Sequence, residues 1–373
     1  RFDLIRVTTK SGVTGYSAGP AISTERKGIG DLIAPYLLDN DATDISLMQQ
    51  RLREMSYLGI RSHWIEPAFW DIKGKLENKP VYELLGARAV PVELYASTGE
   101  VKGPGERVEE VRRRYEEGFR SVKLRVHDFD VREDIRQVEA VAKAFGDKMK
   151  IGVDANQGWR VTIVNDAPLW DLKRAGYFSD ACADLGVAWI EEPLPMDDYD
   201  SLSALAAYSK VPISGGELHS SGLPELRMMI ERKCYHIFQP DAVMAGGIGQ
   251  TMEVIRLCRE HNLLYSPHTW TNGIGFAINR QLHNLPFSLR SRCAVTSRFG
   301  SLRETITRST RLASSGTAAK RCSRAGSSWS GSVRSGWRTT PSIHSCFSWR
   351  LAKRASACWV QTSFISTPPP PPA

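Results

Sequence analysis

The chain has 373 residues and a net charge of +8, but residues 1–290 carry 36 basic and 40 acidic side chains while residues 291–373 carry 13 and one. The basic balance therefore belongs to the last segment alone, and the acidic body argues against nucleic acid as its partner. No apolar run approaches the roughly 20 residues of a membrane span, and seven irregularly spaced cysteines form neither a disulfide framework nor a metal motif. We expect a cytoplasmic protein with no membrane partner.

The chain opens inside an alternating pattern, DLIRVTTKSGVTGYSAG, which predicts a hairpin of two strands around Lys10, Ser11 and Gly12. Because the pattern is already under way at residue 1, we expect a truncated start.

From residue 92 to 268, short β-rich runs alternate with longer segments of helical period such as PGERVEEVRRRYEEGF. Seven consecutive strand and helix units predict a parallel sheet and favour a (β/α) barrel, although an open doubly wound sheet stays possible. The strand runs are VELYAST at 92, SVKLRV at 121, KIGVDA at 150, VAWIEEP at 187, PISGGE at 212, HIFQPD at 236 and LLYSPH at 263.

Ionisable side chains lie at or near the C-terminal ends of six consecutive strands. In a barrel these ends converge on one face, where catalytic groups gather. Taken singly, each residue has an ordinary structural interpretation, because a carboxylate after a strand is often a helix N-cap and a single histidine is usually a surface or core residue. Capping does not explain six strand ends in succession. The set comprises Lys123 and Arg125, Asp154, Glu191, Glu217, Asp241 and His268.

Three of these residues, Asp154, Glu191 and Glu217, supply hard oxygen ligands from neighbouring strands. Carboxylates without cysteine or clustered histidine suit Mg²⁺ rather than zinc. Such an ion can bind a substrate carboxylate and stabilise the dianion that forms when the α-proton leaves.

The remaining residues can carry out acid and base chemistry. A hydrogen bond from His268 to Asp241 would fix the imidazole tautomer and raise its basicity, which makes a general base. Lys123 and Arg125 share a strand face. Lys123 could neutralise a substrate oxygen or exchange a proton.

Together, SVKLRV, GVDANQGW, WIEEPLP, ISGGEL, QPDAVMAGGIG and SPHTW resemble the mandelate racemase subgroup of the enolase superfamily, over residues 1 to about 290. The resemblance implies a (β/α)7β-type TIM barrel at residues 91–290 behind a smaller α+β capping domain at residues 1–90. It also implies a homo-oligomer with a small-molecule carboxylate substrate. By the resemblance Asp154, Glu191 and Glu217 bind Mg²⁺, with Glu191 rather than Glu192 inward. Asp241 and His268 form the dyad, and Lys123 opens the Lys-x-Lys-like motif.

Arg125 stands where racemases of this family commonly have a second lysine. A guanidinium does not give up its proton at ordinary pH, so bases on both faces are not available. We therefore expect an acid-sugar dehydratase, which removes the α-proton and then the β-hydroxyl as water. A racemase or epimerase that uses Lys123 and His268 is the alternative, and an inert barrel with a nucleic-acid-binding tail is a hypothesis of another class.

The segment 291–373 departs from the family, which would continue into an eighth strand. It is rich in Ser and Arg, has one acidic residue, Glu304, and shows no sustained period. A disordered linker and a nucleic-acid-binding arm are both possible interpretations, but we favour a shifted reading frame. On that interpretation the chain as given is weakly stable and has little activity.

Overall fold

The computed structural model describes residues 2–20, 29–59, 61–159, 166–269, 272–283 and 285. The chain opens with an antiparallel hairpin of β1 (Phe2–Thr8) and β2 (Thr14–Pro20), paired from Phe2 with Pro20 to Thr8 with Thr14. Gly12 has φ +88°, a left-handed conformation that glycine adopts without strain. The predicted hairpin is confirmed.

Short helices follow the hairpin and pack against it. Asp44 accepts a hydrogen bond from Leu47 N at 3.0 Å and so caps the second of them. A Cβ on Gly15 would lie 2.0 Å from Ala68 O, so only glycine lets β2 approach the third helix this closely. The helices are α1 (Ala34–Leu37), α2 (Ile45–Ser56), α3 (Pro67–Glu77) and α4 (Val81–Leu84), with a π-helical turn at Ile29–Ile33 and a 3-10 turn at His63–Ile65.

All seven predicted strands of the barrel form, and they pair in parallel in sequence order. Each is shorter than the run that predicts it, by one to five residues. The strands are β3 (Ala96–Ser97), β4 (Ser121–Arg125), β5 (Lys150–Asp154), β6 (Trp189–Glu191), β7 (Ile213–Gly215), β8 (Ile237–Phe238) and β9 (Leu264–Tyr265).

Helices connect successive strands and cover the outside of the sheet with their apolar faces. Three begin at an aspartate, Asp130, Asp171 or Asp198, whose side chain accepts a backbone N–H bond. The helices are α5 (Pro104–Glu116), α6 (Val131–Phe145), α7 (Leu172–Asp184), α8 (Tyr199–Tyr208), α9 (Leu223–Glu231), α10 (Gly247–Glu260) and α11 (Gly273–His283).

Successive side chains of each strand point alternately towards the barrel interior and towards the surrounding helices. Ile190 belongs to the large apolar cluster between strands and helices, whereas Trp189 packs in a second cluster with Tyr95 and Ile237. A Cβ on Gly152 would lie 2.1 Å from the Trp189 ring, so glycine makes room for the indole. One period further along the strands, the same interior face carries polar side chains.

The N-terminal domain and the barrel share one hydrophobic cluster. It joins Leu52, Trp64 and Phe69 of the first domain to residues such as Ile255 of α10 and Leu282 of α11. A buried carboxylate, Glu66, reinforces this junction. Its Oε1 accepts hydrogen bonds from Trp70 Nε1 and from Gly249 N on α10, both at 2.9 Å. The first domain is therefore held against the helices that flank β8 and β9.

The expected eighth strand and the segment 291–373 lie outside the described residues, and their interpretation stays a prediction. Among the residues that are described, no helix combines the length and the apolar composition needed to cross a membrane.

Candidate active site

The structure brings together all seven residues that the sequence singles out. Lys123 lies within β4, and Arg125, Asp154 and Glu191 are the last residues of β4, β5 and β6. The other three follow β7, β8 and β9 after one or two further residues, because the strands stop early. They are Glu217, Asp241 and His268, of which the last two are almost fully buried.

Lys123 is fully buried, and its ammonium lies between two carboxylates. The Nζ atom is 2.8 Å from Asp154 Oδ2 and also forms an ion pair with Glu191 Oε1. Burial alone would lower the pKa of Lys123, but the charges of Asp154 and Glu191 outweigh it and raise the pKa well above the usual value. The side chain is therefore a fixed positive charge in this arrangement.

Arg125 adds a second positive charge on the same strand face. Its guanidinium lies 2.8 Å from Asp154 Oδ2, the oxygen that Lys123 also contacts. Burial tends to raise the pKa of Asp154, but Arg125 and Lys123 outweigh it and lower the pKa to about 2. The backbone N–H of Asn156 bonds the other oxygen at 2.8 Å, so the carboxylate is held in one orientation.

Glu191 is shared between a cation and an amide. Gln239 donates a hydrogen bond from Nε2 to Glu191 Oε2 at 3.0 Å, while Oε1 faces Lys123. Gln239 follows β8 directly and is buried. Sequence reasoning missed it because only ionisable residues were considered, although it stands in the strand-end run HIFQPD beside Asp241.

Near the other end of the strand order, after β9, His268 lies between two carboxylates. Its Nε2 is 2.7 Å from Glu217 Oε2, and its Nδ1 is 3.2 Å from Asp241 Oδ2. Burial tends to lower the pKa of His268, but the charge of Glu217 and the hydrogen bonds to both carboxylates raise it to about 10. The protonated imidazolium is thus favoured while both carboxylates engage the ring.

Asp241 is held from three directions. Besides His268, its carboxylate accepts bonds at Oδ1 from Val243 N at 2.9 Å and from Asn279 Nδ2 at 2.8 Å. Asn279 lies on α11, and its own Oδ1 accepts a bond from Ala242 N at 2.9 Å. No sequence pattern selects Asn279, because a single amide on the buried face of a helix has no distinctive spacing.

Glu192 is also buried, and its carboxyl lies within electrostatic reach of the site carboxylates, whereas alternation would turn it away from Glu191. The strand ends at Glu191, and Glu192 adopts φ +46°, so the alternation no longer applies there. Asn156 Nδ2 lies 3.4 Å from its Oε2. Burial and the charges of Glu217, Asp154 and Glu191 raise the pKa of Glu192 well above its usual range.

The three expected metal ligands have suitable chemistry but are engaged elsewhere in this arrangement. Within the described part of the chain, no three His, Cys, Asp or Glu side chains form a group that could hold a metal ion as they stand. Lys123 contacts Asp154 and Glu191, and His268 contacts Glu217. Burial, together with the charges of Asp154 and Glu217, raises the pKa of Glu191 although Lys123 opposes it.

The carboxylates are therefore close enough to repel one another, which a divalent cation would relieve. Their oxygen atoms are the donors that Mg²⁺ prefers. The donor set fits the ion, provided that Lys123 and His268 release the oxygens they contact.

Two regions of the chain match models of known protein families. Residues 1–86 match the mandelate racemase / muconate lactonizing enzyme N-terminal domain, and residues 106–310 match the enolase C-terminal domain-like model. The first match covers the hairpin and helices α1 to α4, and the second contains six of the seven described barrel strands, from β4 to β9.

Two similar proteins are a dehydratase and a cycloisomerase. L-talarate/galactarate dehydratase of Salmonella typhimurium is 32% identical over 260 residues, which are 67% of this chain and 61% of that protein. D-galactarolactone cycloisomerase of Agrobacterium fabrum is 31% identical over 218 residues, 57% of this chain and 54% of that protein. The chain thus spans less than two thirds of the length of these two relatives.

A solved structure extends the likeness to the fold. The crystal structure of a racemase from Streptomyces coelicolor with bound magnesium superposes with a TM-score of 0.65 at 25% identity, over 72% of this chain and 81% of the racemase. Dehydration, cycloisomerisation and racemisation are thus all represented among proteins similar to this one.

Proposed function

Since this chain belongs to the mandelate racemase and muconate lactonizing enzyme family of the enolase superfamily, we propose that it is an Mg²⁺-dependent acid-sugar dehydratase. The reaction removes the proton α to a carboxylate and expels the β-hydroxyl as water, which leaves an enol that rearranges to a 2-keto acid. The single observation that supports this proposal is the asymmetry of the site, with the imidazole of His268 held by Glu217 and Asp241 and two cations, Lys123 and Arg125, held by Asp154 on other strands.

His268 is the residue that we propose to accept the α-proton. Its Nδ1 faces Asp241, so Nε2 is the nitrogen available for substrate once Glu217 is engaged elsewhere. Proton transfer by a positioned histidine contributes about 10²- to 10⁴-fold in rate. After accepting the proton, the imidazolium can give it to the departing β-hydroxyl.

Lys123 and Arg125 are proposed to bind and neutralise rather than to accept a proton. Arg125 is held 2.8 Å from Asp154 and keeps its charge at ordinary pH. Lys123 is fully buried against carboxylates that stabilise its charged form. Both are suited to hold the oxygens of a substrate carboxylate or hydroxyl, which orients the α-carbon towards His268.

Asp154, Glu191 and Glu217 are the residues that would hold Mg²⁺. The bound ion would stabilise the negative charge that develops on the substrate carboxylate as the α-proton leaves. Gln239, which donates to Glu191 Oε2, would keep that carboxylate from rotating away.

Racemisation or epimerisation is the second candidate, and the position of Lys123 favours it. Lys123 approaches the carboxylate cluster from β4, whereas His268 approaches it from the loop after β9. If Lys123 released its proton in the substrate complex, the α-carbon would have a base on each side. Exchange of the α-proton without loss of water would then be the main reaction.

Because the chain as given is expected to have little activity, the test uses the full-length protein with its reading frame after about residue 290 corrected. It is incubated with Mg²⁺ and a panel of aldonic and aldaric acids in deuterated water. We expect a 2-keto acid, detected with semicarbazide, and its loss in His268→Asn. His236→Asn is the matched control, because His236 is a partly buried barrel histidine that bonds Ile213 N rather than the site. Deuterium at Cα without keto product would replace dehydration by racemisation, and absence of both across the panel would contradict the proposal.

A further inference from the structure

We propose that Asn279 on helix α11 is a positioning residue that fixes Asp241 in the orientation which hydrogen-bonds His268 Nδ1. The inference rests on the proposed role of His268 as the base. It adds a residue from outside the strand ends, on the last described helix of the barrel.

The side-chain amide of Asn279 forms two hydrogen bonds to the loop that carries Asp241. Asn279 Nδ2 donates to Asp241 Oδ1 at 2.8 Å, and Asn279 Oδ1 accepts from Ala242 N at 2.9 Å. The Asn279 side chain thus bonds both the Asp241 carboxylate and the next peptide of the same loop. Because a primary amide has a donor and an acceptor on one carbon, asparagine meets both requirements at once.

Burial makes these bonds consequential. Asn279 and Asp241 both have 0% exposure, so water cannot replace a bond that is lost. An unpaired polar group in such surroundings is costly, which strongly favours the paired arrangement.

The bond to Asn279 also determines which carboxylate oxygen faces the histidine. Oδ1 of Asp241 accepts from Asn279 and from Val243 N, which leaves Oδ2 for His268 Nδ1 at 3.2 Å. Without the amide, Val243 N alone would hold Oδ1, and the carboxylate could rotate about its last bond. The imidazole would then lose its fixed tautomer and direction, which a base needs.

The experiment compares two leucine substitutions on the same helix. Asn279→Leu removes both bonds to the Asp241 loop while keeping a similar volume. Gln281→Leu is the matched control, since Gln281 Oε1 accepts a bond from Tyr82 N at 3.0 Å, away from the dyad. Asn279→Ser, which leaves room for water, is the second variant.

The first measurement is nitrogen NMR of the full chain labelled at its eight histidines, without substrate, so it does not depend on turnover. The His268 signals are assigned by their loss in His268→Asn. We expect Asn279→Leu and Asn279→Ser to shift or broaden the Nδ1 signal of His268. The signal of His236, whose Nδ1 accepts from Ile213 N, should stay unchanged as a reference for the folded barrel. Gln281→Leu should leave both signals in place.

The second measurement is steady-state kinetics on whichever acid sugar is turned over. We expect kcat to fall about 10- to 100-fold in Asn279→Leu with KM nearly constant. An unchanged His268 signal in a folded Asn279→Leu protein would overturn the inference, as would an equal shift in Gln281→Leu. Loss of the His236 signal in both Asn279 variants would also overturn it, because Asn279 would then maintain the fold rather than the dyad. Failure of the dehydratase proposal alone would leave the NMR result intact.

Discussion

The two sides of the barrel mouth hold their charges in opposite ways. On the cation side, defined by Lys123, Arg125, Asp154 and Glu191, each carboxylate contacts a permanently charged group. On the histidine side, defined by Glu217, Asp241, His268 and Asn279, two carboxylates face a titratable imidazole and raise its pKa to about 10. The cation side can bind and neutralise anionic oxygens, whereas the histidine side can also transfer protons.

The largest effect is expected from removing the titratable ring on the histidine side. His268→Asn should lower α-proton exchange by about 10²- to 10⁴-fold, because the two carboxylates on that side are assigned to the metal ion and to orienting the ring. Deuterium incorporation at Cα, followed by proton NMR, measures the loss. Exchange that persists would transfer the base role to Lys123 and break the comparison.

On the cation side, removal of charge should change stability. Lys123→Met leaves Asp154 and Glu191 buried and unneutralised by the ammonium, which should reduce the free energy of unfolding by about 3–5 kcal/mol in urea without metal. Added Mg²⁺ should recover part of this loss if the carboxylates bind the ion.

Lys150→Met provides the control for that prediction. Lys150 pairs with Glu93 at 3.2 Å while its side chain is 37% exposed, so its removal should cost only about 0–1 kcal/mol. Equal losses in the two variants would show that burial of the pair at Lys123 has no special importance.

The stability that Asp134 of helix α6 contributes should fall as pH rises. Burial is the main cause that raises the pKa of Asp134, at the start of α6, to about 7 from 3.8. The carboxyl of Asp134 ionises at lower pH in the unfolded chain than in the folded protein. Its contribution to the free energy of unfolding is therefore complete below pH 3.8 and is lost as pH rises to about 7, by at most about 1.4 kcal/mol per pH unit. Asp134→Asn should flatten that slope in urea titrations at successive pH values, and an unchanged slope would exclude Asp134 as its source.

The contact between His63 and Gln250 of helix α10 should respond to pH in the opposite direction, and its effect on stability should be smaller. Burial, with a smaller contribution from Arg61, lowers the pKa of His63 to about 4, and Gln250 of α10 lies 3.3 Å from its Nδ1. The folded state therefore resists protonation, and stability present above pH 6.5 is lost as pH falls towards 4. His63→Gln should reduce this loss on acidification, measured by thermal unfolding between pH 7 and 4.

The sequence predicts the positions of charges better than their partners. Strand period and residue type are local properties, so the seven strands and the residues that end them can be predicted without a structure. The ion pair between Lys123 and Glu191 depends on the reach of two side chains, which period does not determine. Glu192 departs from alternation through one left-handed residue, and Asn279 meets Asp241 from 38 residues away. Such contacts depend on tertiary packing rather than on pattern.

The shared cluster between the first domain and helices α10 and α11 has a consequence for motion. Leu52, Trp64 and Phe69 cannot separate from the barrel without exposing a common core, and Glu66 would lose its bond from Gly249 N at the same time. The two domains should therefore unfold in a single cooperative transition, and amides of α3 and α10 should exchange with solvent at similar rates. Access for substrate would then come from local loop movement rather than from a swing of the whole first domain.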